Sequence, residues 1–286
     1  MASSRLARSR FAAACSGEVV TKQSGRAQRI LLPLLNCGAI VLLWQLAVTE
    51  RWINPLSLAA PFEAAKVAFS SFSILLPHIL ATIYATLLTF VLSSVGGMLL
   101  GALLMHWRSF RLAVYPSLVM FQLLPKIALA PLFVVWFGVN ILSRLSFAGF
   151  IAFFPIVLAT LAGLRATDPL VLKLCRSVRA SPSQIFWQVR LPYAVPLIMS
   201  GLKVGMTLAI TGVIVSEFVT VQSGLGYIIV FASSNLQIDL MFAALGWVSL
   251  IGLLFYGAVL LLEHLTLKWL GAPIPAGLSW PGEGGP

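Results

Sequence analysis

The chain has 286 residues, of which 59% are hydrophobic and only 9% are charged. Soluble globular domains carry about 25% charged residues, so this composition excludes a water-covered surface and predicts an integral membrane protein. The net charge of +11 is expected to reflect the excess of Lys and Arg in cytoplasmic loops rather than nucleic-acid binding. The three cysteines and three histidines are too scattered to indicate a disulfide framework or a zinc site.

Taken in chain order, residues 1–29 are basic and rich in Ser and Ala, and we expect a disordered cytoplasmic arm. Six apolar stretches then predict six membrane-spanning helices, at 30–49, 79–105, 112–138, 145–164, 193–218 and 241–262. The connections include an amphipathic helix at 61–69, turns at 106–111 and 139–144, and a surface or re-entrant segment at 219–240. The predicted fold is an all-α transmembrane bundle (30–265) followed by a cytoplasmic Pro/Gly-rich tail (266–286).

The third span contains three prolines, Pro116, Pro125 and Pro131, and we expect it to be kinked or broken. Two Gly-xxx-Gly pairs, which begin at positions 97 and 201, should let helices approach closely within one subunit, and a contact between two copies is the alternative.

Orientation follows from the distribution of Lys and Arg, which concentrate on the cytoplasmic side. With the N-terminus inside, the inner segments carry 14 basic residues and the outer segments carry three. Both termini and the segment 165–192 are therefore predicted to be cytoplasmic. Lys126 and Lys203 fall within spans, and Lys203, near an inner end, is expected to extend its amine to the interface.

The segment 165–192 is a polar, basic stretch between two apolar ones, and it begins with helix signals. Asp168 is a good N-cap and Pro169 suits the first helical position, so 169–178 should form a short amphipathic helix. Its apolar face comprises Leu170, Val171, Leu174, Cys175 and Val178.

A second start follows at once, because Ser181 and Gln184 have the spacing of a capping box around a proline. The helix that it starts should reach Arg190, and Leu191-Pro192 should end it. Two N-caps in succession fix the angle between the two short helices, which favours a docking element for a soluble partner. A helix pair lying in the lipid interface is the alternative.

The same segment resembles the cytoplasmic loop of ATP-binding-cassette importer permeases. That loop reads Glu-Ala-Ala, three residues, Gly, nine residues, Ile, one residue and Leu-Pro. Anchored on Leu191-Pro192, the pattern places Val189 at the Ile, Arg179 at the Gly, and Lys173, Leu174 and Cys175 on the triplet. Lys173 inverts a charge, and Arg179 stands where a left-handed backbone is expected, at a cost of about 1 kcal/mol.

Four further stretches resemble the nitrate/taurine/sulfonate branch of these permeases, and the resemblance covers about residues 40–270. The stretches are PKIALAPLFVVWFG (125–138), FFPIVLATLAGLRATDP (153–169), SEF (216–218) with SGLGYII (223–229), and LLEHLTLKW (261–269).

The resemblance implies a multi-pass permease subunit of the bacterial inner membrane, in contact with lipid, paired with a second copy and without enzymatic activity of its own. ATP and Mg²⁺ would bind two cytoplasmic ATPase subunits, and a periplasmic protein would deliver the solute. No Gly-Lys dipeptide occurs, so the chain has no phosphate-binding P-loop, and no cofactor is expected on it. The residues expected to dock the ATPase are Lys173, Leu174, Cys175, Arg176, Arg179, Ala180, Ser181, Gln184, Ile185, Val189, Arg190, Leu191 and Pro192.

Four residues are candidates for the translocation path, since polar groups within a membrane often serve function. Lys126, in the broken span, either attracts an anion or pairs within the bundle. Glu217, near an outer end, is expected to cap or to form a salt bridge rather than contact solute. Gln122 and Gln222 are weaker candidates.

The expected solute is a small anion such as a sulfonate, taurine or nitrate. A pyrimidine or flavin precursor is an alternative solute. A secondary transporter driven by an ion gradient is an alternative mechanism, which would require a paired acidic and basic relay within the membrane. A membrane enzyme is disfavoured because the sequence shows no His/Asp/Glu cluster.

Overall fold

A computed structural model describes residues 26–53, 58–220 and 222–270, and every regular element in these ranges is helical. The elements are α1 (Arg26–Thr49), α2 (Pro61–Ser70), α3 (Phe72–His106), α4 (Arg108–Leu123), a 3₁₀ turn (Lys126–Leu129), α5 (Ala130–Phe137), α6 (Ile141–Arg165), α7 (Pro169–Ser177), α8 (Pro182–Gln184), a π-helix (Ile185–Arg190), α9 (Leu191–Thr220), α10 (Leu225–Ser234) and α11 (Ile238–Leu270). The all-α class is confirmed. The predicted arm up to residue 25, and the tail from residue 271, lie outside the described residues.

Helix α6 is the centre of the bundle and the most enclosed of the long helices. Helices α3 and α9 pack against it through their glycine pairs. A Cβ at Gly101 of α3 would lie 2.7 Å from Cβ of Thr160, and a Cβ at Gly205 of α9 would lie 2.6 Å from Cδ1 of Ile156. Only glycine allows these backbones to approach so closely, so both Gly-xxx-Gly pairs pack within one subunit, as expected.

The third predicted span is broken, as its prolines indicated. Helix α4 ends at Leu123, and the chain then bends by 92° into the 3₁₀ turn and α5. Leu124 adopts extended backbone at the break, and the backbone of Pro125 is also non-helical, with a φ of −70° and a ψ of 79°. Proline cannot donate the hydrogen bond that a continuing helix requires.

The described residues contain four or five of the six expected spans. Four helices, α3, α6, α11 and the run from Pro182 to Thr220, are long and apolar enough to cross a membrane, and the bent pair makes up to five. Helix α1 covers the first predicted span, and its described apolar part runs from Leu35 to Thr49. The sixth span and the cytoplasmic position of both termini stay predictions.

Several connections are shorter than the sequence suggested. The turn at 106–111 reduces to Trp107, since α3 ends at His106 and α4 begins at Arg108. The turn at 139–144 is also shorter, because Asn140 caps α6 and the helix starts at Ile141. Hydropathy marks the apolar centre of a span, whereas helix ends continue into polar sequence at both interfaces.

The two ends of the bundle differ in charge. One end gathers the α3–α4 junction, the end of α6 and the segment 165–192, so Arg108, Arg111 and Arg165 line one cleft there. At the other end, the short helix α10 packs beside the start of α3 and the start of α11. The basic segments 106–111 and 165–192 are therefore neighbours in space.

Candidate functional site

The first helix of the predicted docking segment forms as its cap indicated. Asp168 accepts a hydrogen bond from the backbone N–H of Leu170 at 2.7 Å, and Pro169 is the first helical residue. Helix α7 then runs to Ser177, one residue short of the predicted end.

A Schellman turn ends α7. The N–H of Ala180 bonds to the carbonyl of Cys175 and the N–H of Arg179 bonds to that of Arg176, both at 3.0 Å. Arg179 therefore occupies the position where glycine is usual, and its φ of 55° lies in the left-handed region. The left-handed backbone expected at this position is confirmed, although the residue is an arginine.

The capping box is also confirmed. The backbone N–H of Ser181 donates to Oε1 of Gln184 at 2.8 Å, and the N–H of Gln184 donates to Oγ of Ser181 at 3.2 Å. The helix that starts here does not end at Leu191-Pro192, contrary to the prediction.

The helix continues through the proline because a π-helical turn precedes it. The N–H of Leu191 bonds to the carbonyl of Phe186, five residues back. This wider turn accommodates Pro192, which has no N–H to donate. Pro182 to Thr220 is consequently one run of 39 residues. Phe186 also packs against buried Leu164 and fixes the segment to the bundle.

Three of the five residues on the apolar face of α7 are exposed, whereas Val171 and Cys175 are half-buried. Leu170 is 70% exposed, Leu174 is 65% exposed and Val178 is 70% exposed. No residue of α7 is buried. An amphipathic helix with its apolar stripe in the open indicates a surface that something else covers.

None of the predicted docking residues is buried. Lys173, Leu174, Arg176, Arg179, Ser181 and Gln184 are exposed, whereas Cys175, Ala180, Ile185, Val189, Arg190, Leu191 and Pro192 are half-buried. Four of them, Arg176, Ala180, Ile185 and Arg190, line a cleft of about 560 Å³ against the end of α3. We call residues 168–192 the coupling segment. Their contact with an ATPase stays a prediction.

The candidate path residues lie in two separate places. Lys126 and Gln122 flank the 92° bend, and Nζ of Lys126 lies 5.9 Å from the ring centroid of Phe154. The rings of Phe121 and Phe154 stack at 5.7 Å. Gln222 is exposed in the loop before α10, at the end of the bundle opposite to the basic segments. A role in translocation stays a prediction for all of them.

Glu217 is fully buried and caps the short helix α10. Its carboxylate accepts hydrogen bonds from Oγ1 of Thr82, at 2.9 and 3.1 Å, and from the N–H of Gly226 at 2.8 Å. The N–H of Leu225 in turn donates to Oγ1 of Thr82 at 2.9 Å. These bonds join α3, α9 and α10, which is the capping geometry expected for Glu217.

Gly224 brings α10 against this carboxylate. Its φ is 103°, and a Cβ at this position would collide with the Glu217 carboxyl group. Its N–H donates to Nδ1 of His78 at 3.2 Å. Glycine at positions 224 and 226 therefore lets the α10 backbone approach the buried acid.

Arg144 is a buried cation that the sequence analysis placed in an outer turn. Only 4% of it is exposed, and its guanidinium donates to Oγ of Ser223 at 3.1 Å. It also interacts electrostatically with Glu217. Asn140, a good N-cap before an apolar run, was the signal that α6 starts early and encloses this arginine.

A second buried pair joins α9 to α11. Nζ of Lys203 donates to both carboxylate oxygens of Glu263, at 3.0 and 3.1 Å. The expected extension of Lys203 to the interface is therefore wrong. The last span was predicted to end at 262, one residue before the partner acid, whereas α11 continues to Leu270.

No group of three or more His, Cys, Asp and Glu residues able to hold a metal ion occurs within 26–53, 58–220 and 222–270. The buried charges of the described chain belong instead to the two clusters around Glu217 and Glu263.

Comparison with known proteins assigns the family. The family of binding-protein-dependent transport system inner membrane components matches residues 93–268. The formylaminopyrimidine transport permease of Halalkalibacterium halodurans is 33% identical, over 85% of this chain and 98% of its own length. The riboflavin transport system permease of Chloroflexus aurantiacus is 33% identical, over 87% of this chain and 97% of its own length.

A Bacillus subtilis protein named as an aliphatic sulfonates transport permease is 30% identical, over 89% of this chain and 93% of its own length. The expected resemblance, including its sulfonate branch, is thus supported by relatives that match nearly end to end. The chain is a multi-pass ABC transporter permease, and it belongs to the family of inner membrane components of binding-protein-dependent transport systems.

Proposed function

We propose that this chain is the permease subunit of an ATP-driven importer and that the coupling segment docks a cytoplasmic ATPase subunit. The exposed apolar face of α7 carries this proposal, because Leu170, Leu174 and Val178 lie in the open beside Lys173 and Arg176. A helix with this composition needs a partner whose groove is apolar or acidic. ATP and Mg²⁺ bind that partner and not this chain.

The continuous helix from Pro182 to Thr220 supports a mechanical role for the segment. At 1.5 Å per residue, its 39 residues reach about 58 Å, from the docking surface to the Glu217 cap. Because α9 and α6 interlock through glycines, they move as one unit when an ATPase displaces the coupling segment. The displacement therefore reaches the opposite end of the bundle.

The remaining partners follow from the family and from charge. The end with the basic segments faces the cytoplasm, and α10 with its cap faces the periplasmic solute-binding protein. Two copies of the chain enclose the path between them, with the broken α4–α5 pair of each copy beside it.

For the solute, we propose a small anion such as a sulfonate, taurine or nitrate. Lys126 lies at the bend, where no described carboxylate pairs with it. A pyrimidine or flavin precursor is the second candidate, supported by the stacked rings of Phe121 and Phe154 beside Lys126 and by the relatives named for such solutes.

The test is uptake by liposomes that contain this chain and the P-loop ATPase of its own transport system, with the system's binding protein outside and ATP inside. We expect solute entry that requires all three components. Uptake driven equally well by a proton or sodium gradient without ATP would instead establish a secondary transporter, for which the pair formed by Lys203 and Glu263 is the available relay. Competition among sulfonates, taurine, nitrate, pyrimidines and flavins then assigns the solute.

A further inference from the structure

A groove runs between α4 and α6 at the basic end of the bundle. Its outermost part, about 520 Å³, is lined by Arg108, Arg111 and Arg165 together with Tyr115. A second cavity of about 400 Å³ shares Tyr115 and Arg165 and continues along α6. Leu158, Leu161 and Ala162 line this second part. We call the two cavities together the arginine groove.

The three guanidinium groups have no acidic partner among the residues that the structure describes. The ion pairs found there involve other residues. Arg111 donates to the carbonyl of Leu104 at 3.3 Å, and Asp168, the nearest acid in sequence to Arg165, caps α7. Three like charges around one cleft repel each other unless an anion lies between them. Guanidinium groups suit phosphate, which they bind in a bidentate manner.

Leu158 and Ala162 give the second cavity an apolar wall beside the polar groups of Tyr115 and Arg165, and this combination suits an amphiphilic ligand better than a free anion. Leu158 lies seven residues before Arg165 on α6, about 10 Å deeper along the helix axis. A phosphate at the arginines thus leaves a hydrocarbon chain lying along Leu158 and Ala162. Inorganic phosphate would leave this part of the groove empty.

We propose that the arginine groove binds an anionic phospholipid of the cytoplasmic leaflet, with its phosphate between the arginines and one acyl chain between α4 and α6. Basic pockets between transmembrane helices on the cytoplasmic side are suited to such headgroups. The inference rests on the orientation given under the proposed function. Arg165 lies three residues before the Asp168 cap, so the bound headgroup adjoins the coupling segment.

The experiment uses the full chain, purified in detergent with its ATPase, and a photoreactive phosphatidylglycerol. We expect the label on peptides that contain residues 108–116 and 158–166, and competition by phosphatidylglycerol but not by phosphatidylcholine. Arg108→Gln and Arg165→Gln should each weaken phosphatidylglycerol binding about fivefold, the share of one basic residue at an anionic surface. Arg165→Lys should weaken binding less than Arg165→Gln, since it keeps the charge but loses the bidentate contact.

The control variant is Lys268→Gln, which removes an exposed charge at the end of α11 and should leave binding unchanged. Labelled peptides elsewhere, or equal competition by the two lipids, would overturn the proposal. Displacement of the label by millimolar inorganic phosphate would assign the arginines to a free anion instead. A disulfide between two Tyr115→Cys copies would show that a second copy covers the groove, and would also refute lipid occupancy. None of these results depends on ATP-driven uptake, so failure here is distinct from failure of the proposed function.

Discussion

Replacing Glu217 with alanine removes the acceptor that holds α10 to the bundle. The variant leaves the Thr82 hydroxyl and the Gly226 N–H without their buried acceptor, and Arg144 without its nearby negative charge. Hydrogen bonds to a charged group contribute about 1.5–3 kcal/mol each, and the variant also loses the longer-range attraction between Glu217 and Arg144. Because these contributions overlap, we expect Glu217→Ala to lower the free energy of unfolding by about 4 kcal/mol.

The assay is thermal unfolding of the purified chain in detergent, combined with hydrogen exchange of α10. A loss of this size lowers the midpoint by roughly 10 °C for a chain of this length. Exchange should rise most in α10, because its N-terminal N–H groups lose their acceptor. Glu217→Gln keeps one carbonyl oxygen and should lose only about 1–2 kcal/mol.

The double variant Glu217→Ala with Arg144→Ala should lose less unfolding free energy than the two single variants lose in total, because the two side chains interact. The reasoning is refuted if Glu217→Ala unfolds at the wild-type temperature with unchanged exchange in α10. If stability is unchanged but the Michaelis constant for solute rises, Glu217 contacts solute and the capping function is secondary.

The other predictions concern positions with equally local causes. Gly224→Ala should lower the free energy of unfolding by about 3 kcal/mol, because a Cβ there collides with a buried carboxylate and the φ is 103°. Gly257 has open space around it, so Gly257→Ala should be neutral or should raise this free energy by about 1 kcal/mol in the same melting assay. Lys203→Met should lower the free energy of unfolding by about 3–5 kcal/mol, because it leaves Glu263 buried without its cation. The double variant Lys203→Met with Glu263→Leu should recover most of that loss. A double variant no more stable than the single one would refute the pairing. Arg179→Gly should change the free energy of unfolding by no more than about 1 kcal/mol, because glycine tolerates the left-handed backbone. Arg179→Val should lower the melting temperature. A valine variant more stable than the glycine variant would refute the turn geometry.

The local signals of the coupling segment were readable from sequence because their causes lie within a few residues. An Asp before a Pro, and a Ser three residues before a Gln, satisfy N–H groups that no other part of the chain affects. The left-handed turn at Arg179 was also predictable from the spacing of the family pattern. The exposure of the α7 face was not predictable, since it depends on which helices surround it.

The buried charges were missed because hydropathy defined the spans by their apolar centres. Arg144 and Glu263 lie just beyond the predicted boundaries, yet helices α6 and α11 extend past them and enclose both side chains. Their partners, Ser223 and Lys203, are distant in sequence, so no local pattern pairs them. The continuous helix through Pro192 was missed for another reason: a single π-helical turn removes the effect of the proline.

The most direct measurement of the central claim is the affinity between this chain and its ATPase, with the exposed face of α7 altered. Leu174→Asp should raise the dissociation constant at least about 30-fold, the effect expected for a buried anchor of an interface, and Lys173→Glu with Arg176→Glu should also abolish co-purification. Leu236→Asp, at a similarly exposed leucine in the turn between α10 and α11 at the other end of the bundle, is the matched control and should leave the affinity unchanged. An ATPase that co-purifies equally well with all of these variants would contradict the assignment of the coupling segment as its docking site.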